Sequence, residues 1–277
     1  MARDSEWREH VGLGKSIDVG GVRTFYVDLG EGSPLMLLHG WASSSFTWRR
    51  NYSALAERFR VIAVDLPGFG LSERLESGYE LSRVTEHLLR FAEALGIERF
   101  STVGLSMGGV IAAQVALTRP ETVSKLVLVN PAFGVRGPKW ASLLGRAARR
   151  RPVSSLLRAL LINRYVVKRV LSGAVWVKEV VNDETVTGYY MSIKGSGRTL
   201  LDAFDVIRGF DPAALESLKV PTLFVLGERD SLVPCEGNLE LAGRIGAEVV
   251  LVRDAGHLVQ EERPDDFNAA VIGFLSR

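Results

Sequence analysis

The stretch FSTVGLSMGGVIAAQVAL constrains this chain more than any other. An apolar run stops at Gly104, Ser106 follows two residues on, and a segment rich in small residues resumes. Phe100 to Val103 read as a buried strand and Val110 to Leu117 as a helix packed closely on a sheet. A hydroxyl projecting from so sharp a strand-to-helix turn needs strained backbone and close chain approach. Gly104 and Gly108 lack the side chains that would forbid it, and Gly109 relaxes the crowding further. The first amides of the helix are left unpaired and its dipole places partial positive charge beside the hydroxyl, so the Met107 amide is a ready donor to a developing oxyanion. A G-x-S-x-G string is in many chains simply a turn. In this chain the flanking strand and helix favour a serine nucleophile.

Such a serine needs a base, and the chain has four histidines. His10 lies in a polar N-terminal segment and His87 in LSRVTEHLLRFAEAL, expected to be a surface helix; both read as solvent-exposed or ordinarily packed. His257, in LVRDAGHLVQEERP, follows a short β-branched run in a Gly-containing loop, where an imidazole can reach the turn of another strand and accept a hydroxyl proton. The orienting acid falls on Asp230, at the tip of the polar loop that follows the buried run Thr222 to Leu226. Glu228 competes but stands closer to the strand end. An acid after the preceding strand, KLVLVN, is excluded because that strand ends in Asn130. In SPLMLLHGWASSSFTW, Leu35 to Leu38 form a strand and His39-Gly40 turn the chain so that the Trp41 amide supplies a second oxyanion donor. His39 reads as a brace for this loop, since a second base would duplicate His257. The order Ser106, Asp230, His257 is the one expected when a nucleophile elbow is served by acid and base from later strands.

The wider pattern alternates strands and helices. An N-terminal ribbon, about 15–29, precedes strands near 35–38, 60–64, 100–103, 125–129, 222–226 and 248–252. Helices are expected near 47–58, 80–95, 107–118, 237–243 and 264–276, which predicts a largely parallel sheet covered on both faces. DLPGFGLS is a loop at the carboxyl edge of that sheet; it lacks the glycine spacing and lysine of a phosphate cradle. Between Pro131 and Pro212 the strand pattern lapses into several helical arrays, expected to cap the catalytic face. The expected division is a core of residues 1–130 and 213–277 and a cap of residues 131–212.

The segments LLHGWAS, VIAVDLPGFGLS, VGLSMGG, LVLVNPAF, PTLFVLGERDSLVP and DAGHLVQEERPDDFNAAVIGFL together resemble the α/β-hydrolase superfamily, specifically lidded serine hydrolases such as bacterial carboxylesterases, perhydrolases and meta-cleavage product hydrolases. The resemblance implies a mainly parallel eight-stranded α/β-hydrolase sheet flanked by helices with an inserted helical cap. It also implies catalytic roles for Ser106, Asp230 and His257 and an oxyanion hole from the Trp41 and Met107 amides. Haloalkane dehalogenases and epoxide hydrolases share this core but carry aspartate where this chain has Ser106, so acyl transfer is the chemistry expected. The family cleaves many bonds on one core. A carboxylic ester is the default substrate, because its cleavage asks for no extra group. The alternatives are a carbon–carbon hydrolase of the meta-cleavage type, with a cap arginine such as Arg198 recognising an anionic dienoate, a cofactor-free perhydrolase, and a noncatalytic accessory protein at a membrane.

Composition narrows the partners. One cysteine, Cys235, excludes an internal disulfide, and no apolar stretch reads as a signal or membrane span, so a cytoplasmic protein without cofactor or metal is expected. Formal net charge is only +2, yet Pro131 to Lys178 hold eleven Lys or Arg and no Asp or Glu. Arg146, Arg149, Arg150 and Arg151 are the densest cluster, followed by Arg158, Arg164, Lys168 and Arg169. This run reads as a solvated face, or as an attraction for an anionic substrate or an anionic membrane surface with Trp140 and Tyr165 as anchors. Nucleic acid is disfavoured, because no recognition motif or aromatic stacking array accompanies the charge. Oligomeric state is left open.

Overall fold

Strands that are apolar throughout must lie inside a sheet covered on both faces, and the observed sheet is built from such runs. The computed structural model of the chain describes residues 4–76, 78–135, 162–197 and 199–277. Eight strands form one sheet: β1 (Gly14–Val19), β2 (Val22–Leu29), β3 (Pro34–Leu38), β4 (Arg60–Val64), β5 (Phe100–Leu105), β6 (Val123–Val129), β7 (Thr222–Gly227) and β8 (Glu248–Val252). Their order is β1-β2-β4-β3-β5-β6-β7-β8. β1 and β2 pair antiparallel, as does β2 with β4, and every pairing from β4 through β8 is parallel. β3 and β5 lie at the centre of the sheet and β7 next to the edge strand β8; because these strands run parallel, the loops that follow them open at one edge of the sheet, where such folds place their ligands.

The flanking helices follow the expected segments: α3 (Leu81–Ala94), α4 (Met107–Thr118), α8 (Cys235–Ile245) and α10 (Pro264–Leu275). The helix expected over 47–58 is divided into a 3-10 turn, Ser45–Trp48, and a short α2 (Tyr52–Ala56). Before β1 the polar N-terminal segment forms α1 (Ser5–Leu13), which buries Trp7 and His10 although the sequence shows little apolar periodicity there. His10 packs against Trp7, Phe25, Phe46 and Tyr52. His87 lies on the buried face of α3, its Nε2 2.9 Å from Thr24 Oγ1. For both histidines packing, not exposure, is the outcome.

A helical insert separates β6 from β7. Its described part comprises α5 (Arg164–Ala174), α6 (Asp183–Ile193) and α7 (Thr199–Arg208). Asn163 and Asn182 cap α5 and α6 by accepting from the amides of Val166 and Thr185. The insert is a cap, because its backbone meets the loops after several strands. The Trp41 indole donates to the Leu200 carbonyl at 2.7 Å, the Gly70 amide to the Ser192 carbonyl at 2.8 Å, and the His257 amide to the Ala174 carbonyl at 2.9 Å. Trp140, Arg198 and the basic residues from Arg146 to Arg158 lie outside the described residues. On α5, Tyr165, Lys168 and Arg169 are exposed, whereas Arg164 is partly buried and donates to Thr187 Oγ1 at 2.6 Å. Among the described residues no helix is long and apolar enough to cross a membrane.

Candidate active site

The turn between β5 and α4 is as tight as its glycines allow. Ser106 has φ 53° and ψ −114°, a region that non-glycine residues rarely enter and that costs on the order of 1–3 kcal/mol. A Cβ at Gly104 would lie 2.3 Å from the Gly108 carbonyl oxygen, and one at Gly108 would lie 2.3 Å from the Leu38 carbonyl oxygen. Gly109 passes close to Pro131 in the same way. The Ser106 amide donates to the Val129 carbonyl at 2.9 Å and its carbonyl accepts from the Ala132 amide at 3.2 Å, so the turn is held by core backbone on both sides.

Beside it runs the loop after β3. A Cβ on Gly40 would stand 3.4 Å from Ser106 Cβ, so the two loops lie against each other. Ala42 has φ 55°, which turns the chain sharply just past Trp41. Among the described residues neither the Trp41 nor the Met107 amide makes a hydrogen bond, which leaves both free to receive an anion. His39 is wholly buried: Nδ1 donates to the Gly40 carbonyl at 2.8 Å and Nε2 accepts from the Leu66 amide at 2.9 Å. Burial lowers its pKa to about 4, against a lesser opposing pull from the Gly40 carbonyl. A neutral imidazole spanning the loops after β3 and β4 does what a brace requires.

Asp230 and His257, the expected acid and base, stand on the loops after β7 and β8. Asp230 Oδ2 accepts from His257 Nδ1 at 2.7 Å, while Oδ1 accepts from the Leu232 and Val233 amides at 2.8 and 3.0 Å. The two backbone donors hold the carboxylate in one orientation, and the carboxylate fixes the imidazole with Nε2 as its free nitrogen. Both side chains are buried, and Ser106 is 8% exposed. The Glu228 amide donates to the Val252 carbonyl and the Arg229 amide to the Ala255 carbonyl, binding the acid's loop to the histidine's loop. Glu228 itself is exposed and pairs with Arg229, so it does not compete for the imidazole. Among the described residues Ser106 Oγ makes no hydrogen bond, and neither does His257 Nε2.

Three buried polar residues to which the sequence assigns no role hold this geometry in place. Asn130, with φ 39°, donates from Nδ2 to the Gly256 and His257 carbonyls at 3.1 and 3.0 Å and accepts at Oδ1 from the Gly227 amide at 2.9 Å. A carboxylate could not donate to these two carbonyls, so an acid at position 130 would lose both bonds. Asp65, at the end of β4, accepts from the Ser45 amide, the Ser45 hydroxyl and the Leu71 amide at 2.7, 2.5 and 2.8 Å. Burial raises its pKa to about 6 despite these donors. Glu262 accepts four backbone amides around His257. In the sequence Glu262 carries no signal of its own, standing beside Gln260, Glu261 and Arg263 five positions past His257. Among the described residues no group of three His, Cys, Asp or Glu side chains is placed to hold a metal ion.

The chain is similar to known proteins. A family described as an alpha/beta hydrolase fold matches residues 33–264. A 2-hydroxymuconate semialdehyde hydrolase of Pseudomonas putida is 32% identical over 278 residues, covering 95% of this chain and 94% of the relative. A 2-hydroxy-6-oxo-6-(2'-aminophenyl)hexa-2,4-dienoic acid hydrolase of Metapseudomonas resinovorans is 29% identical over 280 residues, covering 99% and 94%. Among solved structures, a meta-cleavage product hydrolase from Pseudomonas fluorescens IP01 superposes with a TM-score of 0.80 at 28% identity, covering 96% of this chain and 98% of that one.

Proposed function

Because the chain belongs to the alpha/beta hydrolase fold family, and is a hydrolytic enzyme related to meta-cleavage product hydrolases, we propose that it acts through Ser106 as a nucleophile on a substrate carbonyl carbon. The observation that carries the proposal is the buried Asp230–His257 pair at 2.7 Å, set on the loops that open beside the Ser106 turn. His257 Nε2 takes the Ser106 proton as Oγ attacks, and the Trp41 and Met107 amides receive the oxyanion. Collapse breaks the bond to the leaving group, which takes the proton from the imidazolium. Water, deprotonated by the same imidazole, then cleaves the acyl-enzyme and releases the acid.

The related proteins named as hydrolases of dienoates and of a semialdehyde favour a carbon–carbon bond beside a ketone, ahead of the ester expected from sequence. The leaving group is then a stabilised carbanion, protonated at carbon. Ester cleavage is the second reading, and one observation favours it. An anionic dienoate needs a cation, and three described arginines on and beside the cap are already engaged, Arg164 with Thr187, Arg208 with Asp205 and Arg74 with Asp202, whereas Lys168 and Arg169 lie exposed on α5.

A fluorophosphonate probe tests the shared chemistry: labelling is expected on the wild type and absent from Ser106→Ala, and equal labelling of the two overturns the nucleophile. Turnover of a dienoate diketone beside aryl esters of graded acyl length, with and without peroxide, then ranks the bonds. Faster cleavage of every ester than of the diketone puts the ester ahead of the carbon–carbon bond.

A further inference from the structure

We propose that Glu262 is a positioning residue that ties the orientation of His257 to the seating of the cap; the inference rests on His257 being the base. Glu262 ends the short helix α9 (Val259–Glu262) and is buried. Its Oε2 accepts from the amides of Trp176 and Val177, in the cap just past α5, at 2.7 and 2.9 Å, and from the Gly256 amide at 3.0 Å. Oε1 accepts from the Leu258 amide at 3.1 Å. Four N–H donors fill the acceptor capacity of one carboxylate, and two belong to the cap while two flank the base.

The amide between them closes the assembly. His257 N–H donates to the Ala174 carbonyl at 2.9 Å, which is a helix C-terminal carbonyl otherwise without an intrahelical partner. The three consecutive amides 256, 257 and 258 are therefore all committed either to the cap or to the carboxylate that also holds the cap. Gly256 permits the approach, since a Cβ there would lie 2.6 Å from the Trp176 nitrogen and 2.8 Å from the Ala174 oxygen. The acid's loop is fastened to the same cap segment by Ser231 Oγ, which donates to the Gly173 carbonyl at 3.0 Å. If the cap segment shifts by an ångström, the carboxylate cannot keep both pairs of donors, and the base loses its backbone support while Ser106 keeps its own. Misplacement on that scale costs up to about 100-fold in rate.

The test compares the full chain with Glu262→Gln and Gly256→Ala, the second forcing the seam apart from the opposite side, where its Cβ would meet the Trp176 nitrogen and the Ala174 oxygen first and Glu262 Oε1 at 3.0 Å. Val271→Ala, a buried position on α10, serves as a control for general loss of stability. Readouts are the fluorophosphonate labelling rate of Ser106, kcat and KM on whichever substrate is turned over, and the downfield proton resonance of the His257–Asp230 hydrogen bond. Either seam variant that folds is expected to label about 10- to 100-fold more slowly, with kcat reduced, KM little changed and the resonance shifted or broadened, while Val271→Ala keeps the wild-type rate per folded molecule. Wild-type labelling and an unchanged resonance in the folded seam variants overturn the coupling, as does a loss in Val271→Ala of equal size. If the wild type labels no faster than His257→Ala, the base assignment itself is wrong and the coupling falls with it.

Discussion

The two halves of the site are held by different physics. The Ser106 turn is fixed by steric fit: glycine backbone against the carbonyls of β3 and α4, with hydrogen bonds to the end of β6 at Val129 and to Ala132 just past it. The Asp230–His257 half is fixed by polar contacts, and several of them cross to the cap at Gly173, Ala174, Trp176 and Val177. A serine turn built into the sheet keeps its shape when the cap helices shift. A histidine loop whose backbone amides end on the cap does not, so the two halves should respond differently to the same disturbance.

The largest effect is expected in the polar half. Asp230→Asn keeps the shape but replaces an acceptor facing His257 Nδ1, so kcat should fall about 10⁴-fold, the loss typical when the acid of such a triad becomes an amide. Thermal stability should change little by comparison, and a fall in melting temperature large enough to explain the lost activity would undo the contrast. In the steric half the cost should appear in stability first. Gly108→Ala sets a methyl 2.3 Å from the Leu38 oxygen, and because that neighbour is backbone the penalty should be roughly 3 kcal/mol by denaturant titration.

Acid should separate the halves by pH. The His39 pKa is lowered from 6.5 to about 4, so the folded state resists protonation that the unfolded chain accepts. Its contribution is present above pH 6.5 and is lost as pH falls toward 4, roughly 3 kcal/mol in all. His87, also lowered to about 4, and His10, lowered to about 3, chiefly by burial, act in the same direction. Asp65 acts oppositely: with its pKa raised to about 6, its ionisation withdraws stability as pH rises from 3.8. A protonated His39 cannot accept from Leu66, so hydrogen exchange should show the Leu66 amide losing protection on acidification before those of Gly256 and Leu258 do. The reverse order would place the weaker half on the wrong side.

The smallest effect concerns the indole hydrogen bond between the loop after β3 and the cap. Trp41→Phe removes the hydrogen bond to the Leu200 carbonyl but keeps an aromatic ring against Phe204, for a loss of about 1 kcal/mol in stability. KM should move more than kcat. A loss of activity approaching that of Asp230→Asn would mean that the steric half depends on the cap after all.

The legibility of the chain in sequence follows the same division. Six strands, β3 to β8, are readable as short runs of apolar residues and β1 and β2 only as one ribbon, and the Ser106 turn is readable because its glycines lie within five residues of one another. The N-terminal helix is not, since Trp7 and His10 are buried by Phe25, Phe46 and Tyr52 rather than by any periodicity of their own. Glu262 reads as one more acidic residue near the start of the last helix, because the cap amides it holds are 85 and 86 positions away.

Local chemistry therefore determined the sheet, the serine on its strained turn, and the kinds of residue that can serve it. Only the tertiary structure decided that Asp230 meets His257, that Asn130 ties the loops after β6, β7 and β8, and that a buried carboxylate joins base and cap. Steric permission is written in neighbouring residues, whereas a hydrogen bond between distant loops exists only once the sheet has brought their backbones together.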